Sequence, residues 1–575
     1  MYIRTVERKH GAKRYRYVHL AESYRTPDGK IRQRMIANLG NPKDYKPAEI
    51  RKILAGLRRV FGVEEAGSPP ASPTTVPPDA DTTAYDFGGA YAVTKLFDQL
   101  GWADPIRARL RGGRHQFDVL GNIKVLLANR LLDPCSKLHI LDWYEGVFVP
   151  GVDRAEVTYE HLLRAMDFLH RHKASLEVAF ARKLLTLFDQ EVDLVFYDVT
   201  STYFEIDGPD DPAGTKSTLR QWGYSRDHRP DLPQVVVGMV MTRDGFPLCH
   251  HVWKGNTVDA ATVQEVAKDL QGRFGIRRCV FVGDRGMLSE ENLSVLREAG
   301  LDFIVAHKLR RDESVREVLP RVEDRLTDPE NESVAETTWE GRRFVVAHNP
   351  EIAAQTRQTR ERMIREAARF IDDRIFKLEL QDAGVKGRGR PASDQGALLR
   401  IHDYLRDRKL LRYTDVFLDK DGQVAWKANV KNRKWENRID GKLVLETSET
   451  TLPAPEIVKR YKELADIERA FRTMKSSLDM RPVFHRVDRR IEAHVFLCVM
   501  ALQIDRVARH RLHAAGIHTL PTRVLESLDR YRMISTRLED GRTHTTLASP
   551  RQQNSDLFAG LGVPHPVLRE ATTTG

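Results

Sequence analysis

Between Val192 and His307 the apolar residues come in short unbroken runs rather than in helical stripes. DLVFYDVTSTYFE reads as a strand buried on both faces. PQVVVGMVMTRDGFPLCHHVW predicts a hairpin turning at Asp244-Gly245, and RRCVFVGDRGM another buried strand. A helix from about Ser289 to Ala299, stopped by Gly300, and the strand LDFIVAHKL complete a βαβ unit. The pattern predicts an α/β fold, a mixed sheet with helices packed on it.

On either side the periodicity changes. Residues 1–65 read as a small β-rich leader, with two strand-like runs around Pro27-Asp28-Gly29-Lys30 and a short helix over Pro47 to Gly62. Residues 66–83, rich in Pro, Ser and Thr, read as a linker. Residues 84–191 carry helical stripes, suited either to DNA binding or to bracing the sheet. The first part of the core, 192–308, is interrupted by an insertion over 309–437 that includes a long charged helix and strands near YTDVFLDKDGQVAWKANV. DGKLVLETS returns to the sheet within a second core part, 438–485, and 486–575 is helical with a polar tail.

The second core part contains YKELADIERAFRTMKSSLDMRP, which reads as one amphipathic helix. At about 100° per residue, Ile457, Tyr461, Leu464, Ile467, Phe471, Met474 and Leu478 share one arc. Glu468 and Lys475 fall near the middle of that arc, and with Tyr461 they recur every seven residues. A carboxylate buried there must protonate, pair or hold a cation. The simpler reading is a Glu468–Arg472 pair or a solvated groove.

Composition alters this picture in two places. Cys135, Cys249, Cys279 and Cys498 form no CxxC pair, which argues against a zinc site or disulfide framework and suits a reducing cytoplasm. No transmembrane-length apolar run or signal-peptide pattern is present, so a cytoplasmic protein is expected. His250 and His251 have no ligand spacing and read as structural, so a metal here would need oxygen ligands. The net charge of +11 is concentrated in the leader, where residues 1–62 hold 16 Lys/Arg against 5 Asp/Glu, with Tyr2, Tyr15, Tyr17 and Tyr24 among them. Such a segment suits a polyanion, most often nucleic acid, against the plainer reading of a solvated surface.

Two strands carry an aspartate out of place in a packed sheet. Asp198 points to the face of Leu194 and Phe196, and Asp284 sits at the carboxyl end of its strand, where open α/β sheets bind ligands. Singly, each can be a loop cap or a turn residue. Together with Glu468 they can converge as three carboxylates without nitrogen or sulfur, a set that suits Mg²⁺ or Mn²⁺. Two such ions about 4 Å apart form the clamp used in phosphodiester displacement.

YDVTSTYF, GDRGM and YKELADIERAFRTMKS, with GYSRDHRPDLPQVVVGMVMTRDGFPL, resemble the signature regions of the DDE transposases of bacterial insertion sequences. Within these the sequence is most similar to the IS-four superfamily and its IS-sixteen-thirty-four type. The resemblance implies an RNase H-like core with a large insertion, and Asp198, Asp284 and Glu468 as the catalytic, metal-holding triad. It also implies cutting at the ends of the element and joining to target DNA, with two Mg²⁺ or Mn²⁺ ions. The family's helix signature is Tyr, two residues, Arg, three residues, Glu, six residues, Lys. Tyr461, Glu468 and Lys475 match it, while Leu464 stands at the Arg position, where Arg460 or Arg472 can substitute. Lys475 is then a phosphate contact and Tyr461 positions the backbone. In the superfamily a tryptophan of the insertion can receive a base flipped from a hairpinned end. Trp339, Trp426 and Trp435 are candidates here, each also readable as a core residue. VKGRGRPAS resembles an AT-hook, with Arg388 and Arg390 reaching a minor groove, or is a basic loop. The implied partners are double-stranded DNA, as terminal inverted repeats and target, and a second copy of the chain. The alternatives are an RNase H-like nuclease that does not join strands and a DNA-binding derivative that has lost catalysis.

Overall fold

The computed structural model describes residues 2–10, 13–25, 31–38, 81–113, 115–188, 192–205, 218–276, 279–283, 289–385, 391–537, 543–549 and 552–567. They fall into two units, Met1–Ala80 and Asp81–Gly575. In the first, β1 (Tyr2–His10), β2 (Lys13–Arg25) and β3 (Ile31–Asn38) form an antiparallel meander. β2 and β3 flank the Pro-Asp-Gly-Lys stretch as expected. The helix expected over Pro47 to Gly62 lies outside the described residues.

The second unit opens with β4 (Asp81–Asp86), which corrects the linker reading of Asp81, Thr82 and Thr83. DTTAYD is β-branched and aromatic, and it pairs with Arg532–Arg537 near the far end of the chain. The helices Gly88–Gln99, Val119–Leu132 and Tyr159–Leu187 follow, and they share one core with Asp488–Ala514. Of the two roles left open for the early helices, bracing is the one the packing displays.

The main sheet contains β5 (Leu194–Tyr203), β6 (Gln234–Thr242), β7 (Pro247–Lys254), β8 (Val280–Gly283), β9 (Asp302–Ala306), β10 (Ser333–Trp339) and β11 (Arg342–His348). A further hairpin, β12 (Thr414–Leu418) and β13 (Val424–Ala428), stands apart, and β14 (Lys442–Thr447) completes the sheet. The spatial order is β10-β11-β14-β9-β8-β5-β6-β7. β5, β8 and β9 run parallel, while β6, β7, β14, β11 and β10 join antiparallel. The hairpin between β6 and β7 turns at Gly245, whose positive φ of 78° suits glycine. Helix Glu290–Glu298 has Ser289 as its N-cap and Gly300 at positive φ beyond its end, as the sequence predicts.

Both faces of the sheet are covered. Leu194 and Phe196 of β5 belong to the large core with Ile467 and Phe471, whereas Val195, Tyr197 and Val199 pack with Val263 and Val266 on the opposite face. Continuous apolar runs follow from this double burial. Between β11 and β14 lie the long helix Pro350–Asp382, Asp394–Asp407, the β12–β13 hairpin and Val430–Ile439. The first two helices and the hairpin make a separate small core around Ile371, Ile401 and Val424.

Candidate active site

Asp198 stands mid-strand in β5, half-buried, its Oδ1 accepting from the Val199 amide at 2.7 Å. The parallel register pairs Tyr197 with Gly283, the last residue of β8. Asp284 follows Gly283 in the chain and lies outside the described residues.

Glu468 requires a correction. The helix expected from Tyr461 onward is two helices, Ala454–Lys462 and Ala465–Ser476, joined by a tight turn at Glu463-Leu464. The Leu464 and Ile467 amides reach back three residues instead of four, to Tyr461 and Leu464, so one wheel cannot describe both halves. On its own wheel Ala465–Ser476 buries Ile467, Ala470, Phe471 and Met474. Glu468 and Lys475 then fall about 100° from the centre of that stripe, on its flank. Glu468 is exposed, so the argument from a buried carboxylate does not apply to it. The Ala465–Ser476 helix nonetheless packs against β5, over the face that carries Asp198.

Lys475 is nearly enclosed, and its Nζ lies 2.6 Å from Asp227 Oδ1. Arg481 shares the same oxygen. Burial presses the Lys475 ammonium below its ordinary value, against the pull of Asp227. Asp227 belongs to the GYSRDHRP stretch after β5, so this stretch and the Ala465–Ser476 helix are joined by one carboxylate. No sequence signal singles out Asp227 or Arg481, because only the fold brings them to Lys475.

The other expected contacts are placed as follows. Tyr461 is half-buried and packs against the large core. Arg460 is buried between Glu456, 2.9 Å from its Nε, and Asp193, and Arg472 is exposed. Arg388 and Arg390 lie outside the described residues. Trp426 donates to Asp372 at 3.0 Å, Trp435 lies under the Arg316 guanidinium at 4.5 Å, and Trp339 packs near Phe344. All three are partly buried. A cavity of about 910 Å³, lined by Lys308, Arg310, Arg316 and Trp435 among others, touches none of Asp198, Glu468 and Lys475.

A second charged group lies on β7 and its covering helices, and it closes on itself. Glu177, buried, meets His250 Nδ1 at 2.7 Å and Arg273 at 2.8 Å. Burial alone would raise the Glu177 carboxyl, but Lys173, His250 and Arg273 hold it well below the usual carboxylate range. Burial and Lys173 press His250 down to about 4 despite Glu177. Burial would lower His251 too, yet Asp269 and Glu265 beside it lift it to about 11. Cys249, His251 and Asp269 approach within 4.8 Å of one another, but Arg273 already grips Asp269 through two nitrogens. Both histidines are thus already set against carboxylates, His250 against Glu177 and His251 against Asp269 and Glu265.

The chain matches the family model described as "Transposase DDE domain" over residues 201–504, just over half its length. That stretch includes Asp284 and Glu468 and begins three residues after Asp198. Residues 3–66 match "IS1634 family transposase, N-terminal domain". No curated protein matches. Among solved structures, one titled "Cryo-EM structure of piggyBac transposase synaptic complex with hairpin DNA (SNHP)" aligns with 83% of this chain and 85% of that chain. The identity is 9% and the TM-score 0.35. The two family matches cover the basic leader and most of the carboxylate-bearing sheet, and the chain belongs to the DDE transposases, with the N-terminal domain of the IS1634 family.

Proposed function

We propose that this transposase cuts DNA at the ends of its insertion sequence and joins them to target DNA, using Asp198, Asp284 and Glu468. The observation that carries the proposal is the placement of Asp198 on the β5 face covered by the Glu468 helix, beside the end of the strand that leads into Asp284. The order β7-β6-β5-β8-β9, antiparallel then parallel, supports an RNase H-like core, with 309–437 as its insertion.

The donor set is oxygen alone, which fits Mg²⁺ or Mn²⁺. Asp198, Asp284 and Glu468 would hold two such ions, which when bound supply Lewis acidity at the scissile phosphodiester. Lys475, fixed through Asp227, holds a phosphate near the cut, and Tyr461 positions the backbone. Arg472 adds an exposed cation on the same helix. The basic leader, 16 Lys/Arg against 5 Asp/Glu over residues 1–62, contacts the inverted repeat. The reaction acts on paired ends and suits a dimer on DNA.

Incubation of the full chain with duplexes carrying the ends of its own element tests this. Mg²⁺-dependent nicks at the element boundary and joined products are expected. Nicks without joined products would reduce the activity to that of a nuclease, and DNA binding with no cleavage would leave only a binding protein.

A further inference from the structure

Large aromatic side chains are seldom left in water singly without a reason when they crowd one place. Trp222 is 65% exposed, Tyr224 83% and Phe484 57%. Trp222 and Tyr224 flank Gly223, and Phe484, some 260 residues further along the chain, meets them at one edge of the fold. The Val483 amide donates to the Tyr203 carbonyl at 3.0 Å, Tyr203 pairs with Gln234, and Gln234 bridges to Gln221. These four backbone rows span about 14 Å at the normal strand spacing, and Phe484 and Trp222 each directly follow an outer row, forming the ledge.

The ledge is built firmly. The Gln234 side chain donates to the Tyr224 carbonyl at 2.9 Å and to the Gly255 carbonyl at 3.1 Å. A Cβ on Gly223 would come within 2.0 Å of the Gly255 carbonyl, so only glycine allows this approach. The Arg226 amide donates to Ser201 Oγ at 3.0 Å, tying the loop to β5. The fold thus fixes the backbone between Gln221 and Arg226 while leaving both rings outward.

The surroundings are cationic. Lys475 and Arg481 share the single carboxylate of Asp227, which leaves one positive charge in excess. Arg486, two residues after Phe484, adds an exposed guanidinium group. Tyr203, the last residue of β5, has the Arg229 guanidinium 5.3 Å from its ring centre, where Asp231 already pairs with it. Asp198 is five residues back along that strand, about 17 Å away at the usual rise. Outward aromatic rings set among cations, at the far end of the strand that carries Asp198, match the chemistry of an unpaired nucleic-acid strand. Such strands stack bases on rings and lay phosphates on cations.

Resting on the reading of this chain as a DNA-cutting transposase, the geometry points to a binding site for an unpaired DNA strand on this ledge. Trp222, Tyr224 and Phe484 take nucleobases by stacking, and Arg481 and Arg486 take the intervening phosphates. The site favours ends whose terminal base pairs have opened over intact duplex.

The test compares wild type with Trp222→Ala/Tyr224→Ala in the full chain, binding a mixed-sequence single-stranded oligonucleotide and the same sequence as a duplex. Loss of one or two stacked bases predicts about a ten- to hundredfold weaker single-strand affinity. Duplex affinity should change less than threefold. Trp222→Phe/Tyr224→Phe should restore single-strand binding, and 2-aminopurine placed near the oligonucleotide end should be quenched by wild type but not by the alanine variant. Equal losses on both DNA forms, or no loss on the single strand, would overturn the ledge. So would a variant that fails only in self-association, which would make the rings a protein interface. Should the ledge fail while Mg²⁺-dependent end cleavage persists, the transposase reading stands. Absence of cleavage by wild type would remove that reading itself.

Discussion

Two groups of acids and bases border the same sheet, and they are built on opposite rules. On β7 and its covering helices, Glu177, His250, Arg273, Asp269 and His251 pair with one another, mostly buried, and Glu265 reaches His251 from the surface. On the β5 side, Glu468 is exposed, Arg472 is exposed, and two cations share the one carboxylate of Asp227. In the first group every carboxylate already has an arginine or histidine beside it. The second has cations in excess at one edge and a carboxylate turned outward, as a surface for phosphate and divalent ions must. Counting charged residues near a sheet does not find a site; asking which of them are already satisfied does.

The largest effect should separate the two groups at once. Asp198→Asn and Glu468→Gln should each slow end cleavage about a thousandfold, several kcal/mol of transition-state stabilisation, with end binding retained. Glu177→Gln should leave the cleavage rate at 25 °C within about twofold. It should instead lower stability by about 3 kcal/mol in denaturant unfolding, since it strips a buried carboxylate from its cations. If Glu177→Gln abolished cleavage with the fold intact, the distinction between the groups would break.

A pH series sharpens the contrast. The Glu177 carboxyl is held below its unfolded value of about 4.5, so its stabilisation is complete above that pH. The contribution is lost as pH falls below 4.5 towards the depressed native value. Wild type should therefore lose stability faster than Glu177→Gln below pH 4.5, read from unfolding midpoints at pH 5, 4 and 3.

Smaller effects belong to DNA binding. Lys475→Ala should weaken end binding about tenfold, the order of one charge-assisted phosphate contact. Deleting residues 1–62 should flatten the salt dependence of binding, each lost phosphate contact reducing the logarithmic slope by about 0.9. An unchanged slope would remove the leader from the electrostatic contact.

Much of the sheet was legible because strands buried on both faces leave unbroken apolar runs, as in LVFYDV and QVVVGMVM. The Gly245 turn and the Ser289 cap were legible because their chemistry is local. The break at Glu463-Leu464 was not, since no glycine or proline marks it. Glu463 is drawn to Arg243 at 3.5 Å and Leu464 is buried, both consequences of packing with distant segments. That hidden turn moved Glu468 from the expected core stripe to the exposed flank. β4 escaped notice for a similar reason, because its partner Arg532–Arg537 lies some 450 residues away. The joining of Lys475 and Arg481 by Asp227 spans about 250 residues and no motif announces it.

The most direct test is where a divalent ion binds. Crystals of the full chain soaked in Mn²⁺ should give anomalous scattering between the carboxylates of Asp198 and Glu468, with Asp284 as third ligand, and Asp198→Asn should remove it. A manganese peak at Cys249, His251 and Asp269 instead, or none near Asp198, would contradict the account.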